Sequence, residues 1–209
     1  MRKILTLFER NVPGDRLVRD EVVPGAEWVL AGEGVATRKW DGTACLIDQD
    51  GMLLKRYDAK PGRTPPEGFI AAQDEAASPG HWPGWIPVGD GPEDRFHREA
   101  LRGWETEHEG NGPPPGTYEL VGPKVSSSPE GGCERLTPDS PPLDHHILVA
   151  HGQEILEGVP RDFAGLRDWL IHHNIEGIVW WHPDGRMVKI KGKDFGHRRP
   201  VRRWVEGSA

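Results

Sequence analysis

Proline and glycine punctuate this chain so densely that few segments are long enough for anything but a short strand or a short helix. With 27 Gly and 20 Pro in 209 residues, turns and irregular connections take up much of its length. Helix therefore cannot dominate. Many β-prone runs with only two good helical stretches predict an α+β class, with mainly antiparallel sheets and flanking helices. Nine Trp supply large apolar area per residue, so a hydrophobic content of 35% still suffices for a core. The length suits one domain, expected over 1–196, followed by a basic tail at 197–209.

The pattern assigns elements as follows. Residues 1–9 read as one short strand followed by a polar connection, and Val35 to Arg38 as a β-prone run ending at Lys39. Thr43–Ile47 and Met52–Tyr57 flank a turn at Asp50-Gly51, the signature of a hairpin. The Pro- and Gly-rich segment 58–94 reads as an ordered loop excursion, because disordered stretches rarely carry Trp, and this one has Trp82 and Trp85. Phe96 to His108 forms a helix, Thr117–Val121 and His146–Ala150 form strands, and 126–144 is a surface loop. Asp162 to His173 repeats Phe163, Leu166, Trp169 and Leu170 at helical spacing. A second hairpin pairs Glu176–Trp181 with Arg186–Lys191.

A formal charge of −7 argues against a generic polyanion binder. Charge is unevenly placed, however, and the basic run from Arg186 to Arg203 is broken only by Asp194. Cys45 and Cys133 are too few for a disulfide framework, the apolar start is too short for a signal peptide, and no run approaches membrane-spanning length. A soluble protein of a reducing compartment, the cytoplasm, is expected. His145, His146 and His151 lack the paired spacing of zinc ligands, and packing is the expected use of Trp82, Trp85, Trp180 and Trp181.

Three segments carry chemistry. Lys39-Trp-Asp41-Gly42 follows a strand directly, Glu119 sits within Tyr118-Glu-Leu-Val-Gly122, and the second hairpin bears Glu176 on one arm and Lys189-Ile-Lys191 on the other. Strand side chains alternate, so Lys189 and Lys191 share one face while Val188 and Ile190 pack inward. Such lysines either guard an edge strand against association or line a surface for phosphates. A lysine amine attacks a phosphate only once it loses its proton, and neighbouring cations with partial burial favour that loss.

Lys39-Trp-Asp-Gly42, Glu119-Leu-Val-Gly122, Glu176-Gly-Ile-Val179 and Lys189-Ile-Lys191 together resemble motifs I, III, IV and V of the covalent nucleotidyltransferases, the ATP-dependent DNA and RNA ligases and the capping enzymes. The resemblance is greatest to compact RNA ligases. It implies the ligase and capping-enzyme nucleotidyltransferase (ATP-grasp-like) domain without an appended OB domain. Lys39 would form a lysyl–AMP bond, Asp41 and Gly42 would shape its turn, and Lys189 and Lys191 would hold the α-phosphate. Thr37, Arg38 and Val179 would lie along the nucleotide. Arg56, with Lys60 as the competing candidate, would stand near ribose and phosphate. Glu119 and Glu176 would serve Mg²⁺ or Mn²⁺.

The implied cofactor is ATP, and the implied partner is RNA with 5′-phosphate and 3′-OH ends. The strand that usually supplies a base-stacking aromatic here reads His146–His151, leaving His151 or a ring from elsewhere. Another acceptor (a DNA end, a cap-like group) or a non-catalytic nucleotide- or RNA-binding module are the alternatives.

Overall fold

The computed structural model describes residues 3–60, 62–75, 80–125, 134–137 and 140–197. The strands in chain order begin with β1 (Leu5–Thr6), β2 (Phe8–Arg10), β3 (Val18–Val22), β4 (Val35–Lys39), β5 (Thr43–Ile47) and β6 (Leu53–Ala59). There follow β7 (Ile70–Ala71), β8 (Trp82–Pro87), β9 (Gly116–Val121), β10 (Ile147–Ala150), β11 (Gly177–Trp181) and β12 (Met187–Lys191). The helices are α1 (Glu27–Leu30), α2 (Arg95–Glu107) and α3 (Phe163–His172). This is an α+β chain, and among the described residues its strand pairs are antiparallel except β1 with β12.

The chain divides into two compact units, one of Met1–Lys3 with Asp41–His151 and one of Ile4–Trp40 with Gly152–Ala209. In the first, six strands run in the order β10-β9-β5-β6-β8-β7. One face of this sheet buries Cys45, Ile47, Leu53, Tyr118, Leu120 and Leu148 against Ala100 of α2, with Phe96, Leu101 and Trp104 around them. The β5–β6 turn lies where the sequence puts it: Asp48 accepts from the backbone N–H groups of Asp50 and Met52, closing the reversal at Gly51.

In the second unit, the sheet order is β1-β12-β11-β4, beside a β2–β3 ribbon. Strand alternation buries Ala36, Ile178, Trp180, Val188 and Ile190 on one face, with Leu166 and Leu170 of α3 in the same core. Fully burying each such large side chain is worth about 1.5–3 kcal/mol. Helix α3 starts at Asp162, whose carboxylate accepts the Gly165 N–H at 2.8 Å. It ends where His172 Nδ1 and His173 Nδ1 meet the carbonyls of Asp168 and Trp169, each at 2.7 Å, satisfying last-turn acceptors.

Three expectations are corrected. The expected single strand over 1–9 is, in the described part, two: β1 pairs with β12 and β2 with β3, the partner changing at Leu7 between them. The polar connection after them contains β3, which escapes a hydrophobic pattern because only Val18 of its five residues is fully buried. Segment 58–94 is not a loop excursion throughout: β8 pairs with β6 from Leu54↔Pro87 to Ala59↔Trp82, and β7 pairs with β8. Pro83 and Pro87 disguise that strand in the sequence, yet Trp85 is buried in it. Most of the 126–144 loop, Cys133 and the basic run 198–203 lie outside the described residues.

Candidate functional site

Strand β11 sets the geometry of the second unit's charged cluster. Its first residue, Gly177, stands in register with Lys39 on one neighbouring strand and Lys191 on the other. Two residues further on, Val179 stands between Thr37 and Lys189. Side chains in register share a face, so Thr37, Lys39, Val179, Lys189 and Lys191 line the side opposite the Ile178–Trp180–Ile190 core. Thr37 is fixed there, donating to Val179 O at 3.1 Å and accepting from Trp181 Nε1 at 2.9 Å.

Glu176 immediately precedes β11. Its Oε2 accepts from Lys39 Nζ at 2.5 Å and its Oε1 from Lys191 Nζ at 2.5 Å. Lys39 Nζ also donates to Trp40 O at 3.3 Å. The carboxylate is nearly sealed, with its side chain 8% exposed, while each of the two lysines is 17% exposed. Burial alone would raise the Glu176 carboxyl, but the charges of Lys39 and Lys191 and their hydrogen bonds outweigh it and hold it below the usual carboxylate range.

The Lys189 ammonium is lowered to about 8, first by burial and then by the charges of Lys191 and Lys39. Burial also lowers Lys191, against the opposing pull of Glu176. Three ammonium groups around one carboxylate leave the face with an excess of positive charge, which suits an anion such as a phosphate. Because its value is depressed, Lys189 is charged below about 8 and neutral above it. Affinity for inorganic pyrophosphate, measured by calorimetry, should therefore fall as pH rises through about 8, and Lys189→Arg, which keeps its charge, should flatten that fall.

Gly177 is required by a close approach. A Cβ there would lie 2.1 Å from Ile190 O and 2.9 Å from Lys191 Cα, both backbone atoms that cannot step aside. Gly177→Ala should cost about 2 kcal/mol in denaturant unfolding and loosen the strand carrying Lys191.

Arg38 points to the other side of β4. It is buried, its Cζ lies 3.6 Å from the Trp40 ring centroid, and it pairs with Glu154 at 3.4 Å.

The first unit holds Asp41, Gly42, Arg56, Lys60 and Glu119. Gly42 again answers a close approach: a Cβ would lie 2.0 Å from Leu120 O. The Asp41 N–H donates to Glu134 Oε1 at 3.0 Å, and that carboxylate is 1% exposed. Across the sheet face opposite α2, Val149, Glu119 and Ala44 stand in register, as do Arg56 and Trp85. One step beyond the Cys45↔Lys55 pair, Ala44 faces Arg56, so a small residue separates Glu119 from the guanidinium strand. Arg56 Nε donates to Asp58 at 3.0 Å, and its Cζ lies 5.6 Å from the Trp85 ring centroid. Lys60, just past β6, is exposed. His151 Nε2 lies 2.8 Å from Glu119 Oε2, so its ring is engaged with a carboxylate.

Among the described residues no group of three or more His, Cys, Asp or Glu side chains is placed to hold a metal ion. Glu176 and Glu119 each offer hard oxygen donors, the kind Mg²⁺ takes singly or in pairs when phosphate oxygens and water complete its shell.

Sequence reasoning did not single out Glu134, the His151–Glu119 contact, or Asp194. Glu134 sits in a segment dominated by Pro and Gly, with no local pattern to mark it. Asp194 was legible in principle, since a carboxylate three residues beyond a strand end is placed to bond back to that end.

A family model described as RNA ligase 1 matches residues 115–206, which include Glu119, Glu176, Lys189 and Lys191. The chain is 27% identical over 228 residues to a Danio rerio protein named RNA ligase 1, covering 79% of this chain and 68% of that protein. A Mus musculus protein of the same name is 23% identical over 224 residues, covering 78% and 67%. Together these matches support an RNA ligase nucleotidyltransferase-type domain in this chain.

Proposed function

We propose that the protein is an ATP-dependent RNA ligase that works through a lysyl–AMP intermediate on Lys39, within a nucleotidyltransferase fold. The observation that carries this reading is the single carboxylate of Glu176 shared by Lys39 Nζ and Lys191 Nζ, with Lys189 on the same face.

In the first step the Lys39 amine, having lost a proton, forms a bond to the α-phosphorus of ATP. The bond from that phosphorus to the bridging oxygen breaks, and pyrophosphate leaves. Lys39 Nζ already donates a hydrogen bond to Glu176 Oε2, which gives its departing proton a direction. Lys189 and Lys191 hold the α-phosphate oxygens, and placing anionic oxygens beside them compensates the charge that their burial penalises.

In the second step an oxygen of an RNA 5′-phosphate displaces lysine from the AMP phosphorus. Lys39 is restored, and a 5′–5′ pyrophosphate is formed. In the third, an RNA 3′-hydroxyl attacks the activated 5′-phosphate, AMP leaves, and a phosphodiester remains. Glu176 and Glu119 are the residues that would hold Mg²⁺ or Mn²⁺, which neutralises charge on phosphate oxygens. Arg56, or Lys60 in its place, would serve the ribose and phosphate of the nucleotide. A reducing, cytoplasmic setting suits this chemistry.

The test is incubation of the full chain with ATP and Mg²⁺ or Mn²⁺, intact-mass measurement, and peptide mapping of any adduct. A gain of one AMP on Lys39, discharged by 5′-phosphorylated RNA to give a joined product, is expected. An adduct on another residue, or ATP bound without pyrophosphate release, overturns the mechanism. Discharge onto nicked DNA alone would reassign the acceptor.

A further inference from the structure

Beyond the lysines themselves, we infer that Asp194 and Arg10 form a positioning pair that holds the Lys191 strand end in place for the reaction, an inference that rests on the function proposed above. The 3₁₀ turn Gly192–Phe195 follows β12 directly, and within it Asp194 is buried. Its Oδ2 accepts the Lys191 backbone N–H at 3.0 Å, and its Oδ1 accepts from Arg10 at 2.5 Å.

The pair is asymmetric in a useful way. The Asp194 side chain is 3% exposed, whereas that of Arg10 is 36% exposed, so the guanidinium reaches in from β2 to neutralise a carboxylate that water scarcely solvates. The adjoining peptide is held as well, because the Gly192 N–H donates to Glu176 O at 3.1 Å. Lys191 is thus tied through its own amide to Asp194, through its side chain to the Glu176 carboxylate, and through the next amide to the Glu176 carbonyl. Neither Arg10 nor Asp194 needs to touch the nucleotide. Their work is to keep the Lys191 ammonium within the narrow range of positions in which a phosphate can be gripped, where a misplacement of about 1 Å can cost about a hundredfold in rate.

The experiment compares wild type, Asp194→Ala, Asp194→Asn, Arg10→Gln and Arg10→Lys by two readouts. The first is the single-turnover rate of AMP-adduct formation as a function of ATP concentration. Asp194→Ala and Arg10→Gln should lower the saturating rate about 10- to 100-fold, with a smaller change in the half-saturating ATP concentration. Asp194→Asn, which keeps an acceptor for the amide, should fall less, and Arg10→Lys should recover most of the rate.

The second readout is amide hydrogen exchange of the purified proteins. Asp194→Ala should accelerate exchange at Lys191 while leaving Ile178 and Trp180 protected. Absence of an adduct in wild type would sink the proposed ligase mechanism, while the exchange measurement still judges the positioning. Unchanged protection at Lys191, or a folded Asp194→Ala protein charging at the wild-type rate, overturns the inference.

Discussion

Replacing Lys39 by Arg should abolish the AMP adduct while leaving the fold and the ion pair with Glu176 in place. A guanidinium keeps its charge at any pH an enzyme works at, so it can sit against the carboxylate yet never present a lone pair to phosphorus. Lys39→Ala should be equally inactive, but it also removes one of the two charges that compensate the nearly sealed Glu176, so it should lose stability as well. Comparing the two in one assay separates chemistry from folding: both read zero adduct by intact mass, and only the Ala variant shifts its unfolding midpoint. Residual charging of either variant would remove Lys39 from the reaction.

Glu176→Gln should be the most damaging substitution to the cluster as a whole. It strands Lys39 and Lys191 with a neutral amide and leaves three ammonium groups on one sheet face. Breaking a buried pair by removing one partner typically costs about 3–5 kcal/mol, and this carboxylate serves two partners. The adduct rate should fall by at least about a hundredfold, because Lys39 loses the carboxylate that orients it.

The same group predicts acid sensitivity. Folding holds it below its ordinary value of about 4.5, so its stabilisation is complete above about 4.5 and is lost as pH falls through the depressed value. Wild type should therefore unfold more readily in urea as pH drops below about 4.5, and Glu176→Gln should show less of that slope. A variant as stable and as active as wild type would mean that the two 2.5 Å contacts contribute nothing.

Much of this cluster was legible in the sequence, for a definable reason. In Lys189-Ile-Lys191 and Glu176-Gly-Ile-Val179 the alternation of polar and apolar residues follows the strand period. The hairpin, its buried Val188 and Ile190 and its shared lysine face can therefore be read from order alone. Helix α3 was legible for the same kind of reason, through Phe163, Leu166, Trp169 and Leu170 at helical spacing. What escaped were features created by distance along the chain. Nothing near Asp41 announces the carboxylate of Glu134, nothing near Asp194 announces Arg10, and β8 is hidden by prolines whose effect depends on which neighbour each residue faces. Local patterns record the faces of elements, whereas partners brought together by topology leave no mark on either segment alone.

Pairing of β1 with β12, through Thr6↔Lys189, ties the beginning of the chain to its lysine strand. The six-stranded sheet draws all its strands from the contiguous stretch Asp41–His151 and can close as soon as that stretch exists. The four-stranded sheet must wait, because its two central strands, β11 and β12, follow β4 by well over a hundred residues. On a ribosome β1 and β4 would therefore emerge well before the strands they pair with, and the charged cluster would assemble only after the six-stranded sheet has all its strands.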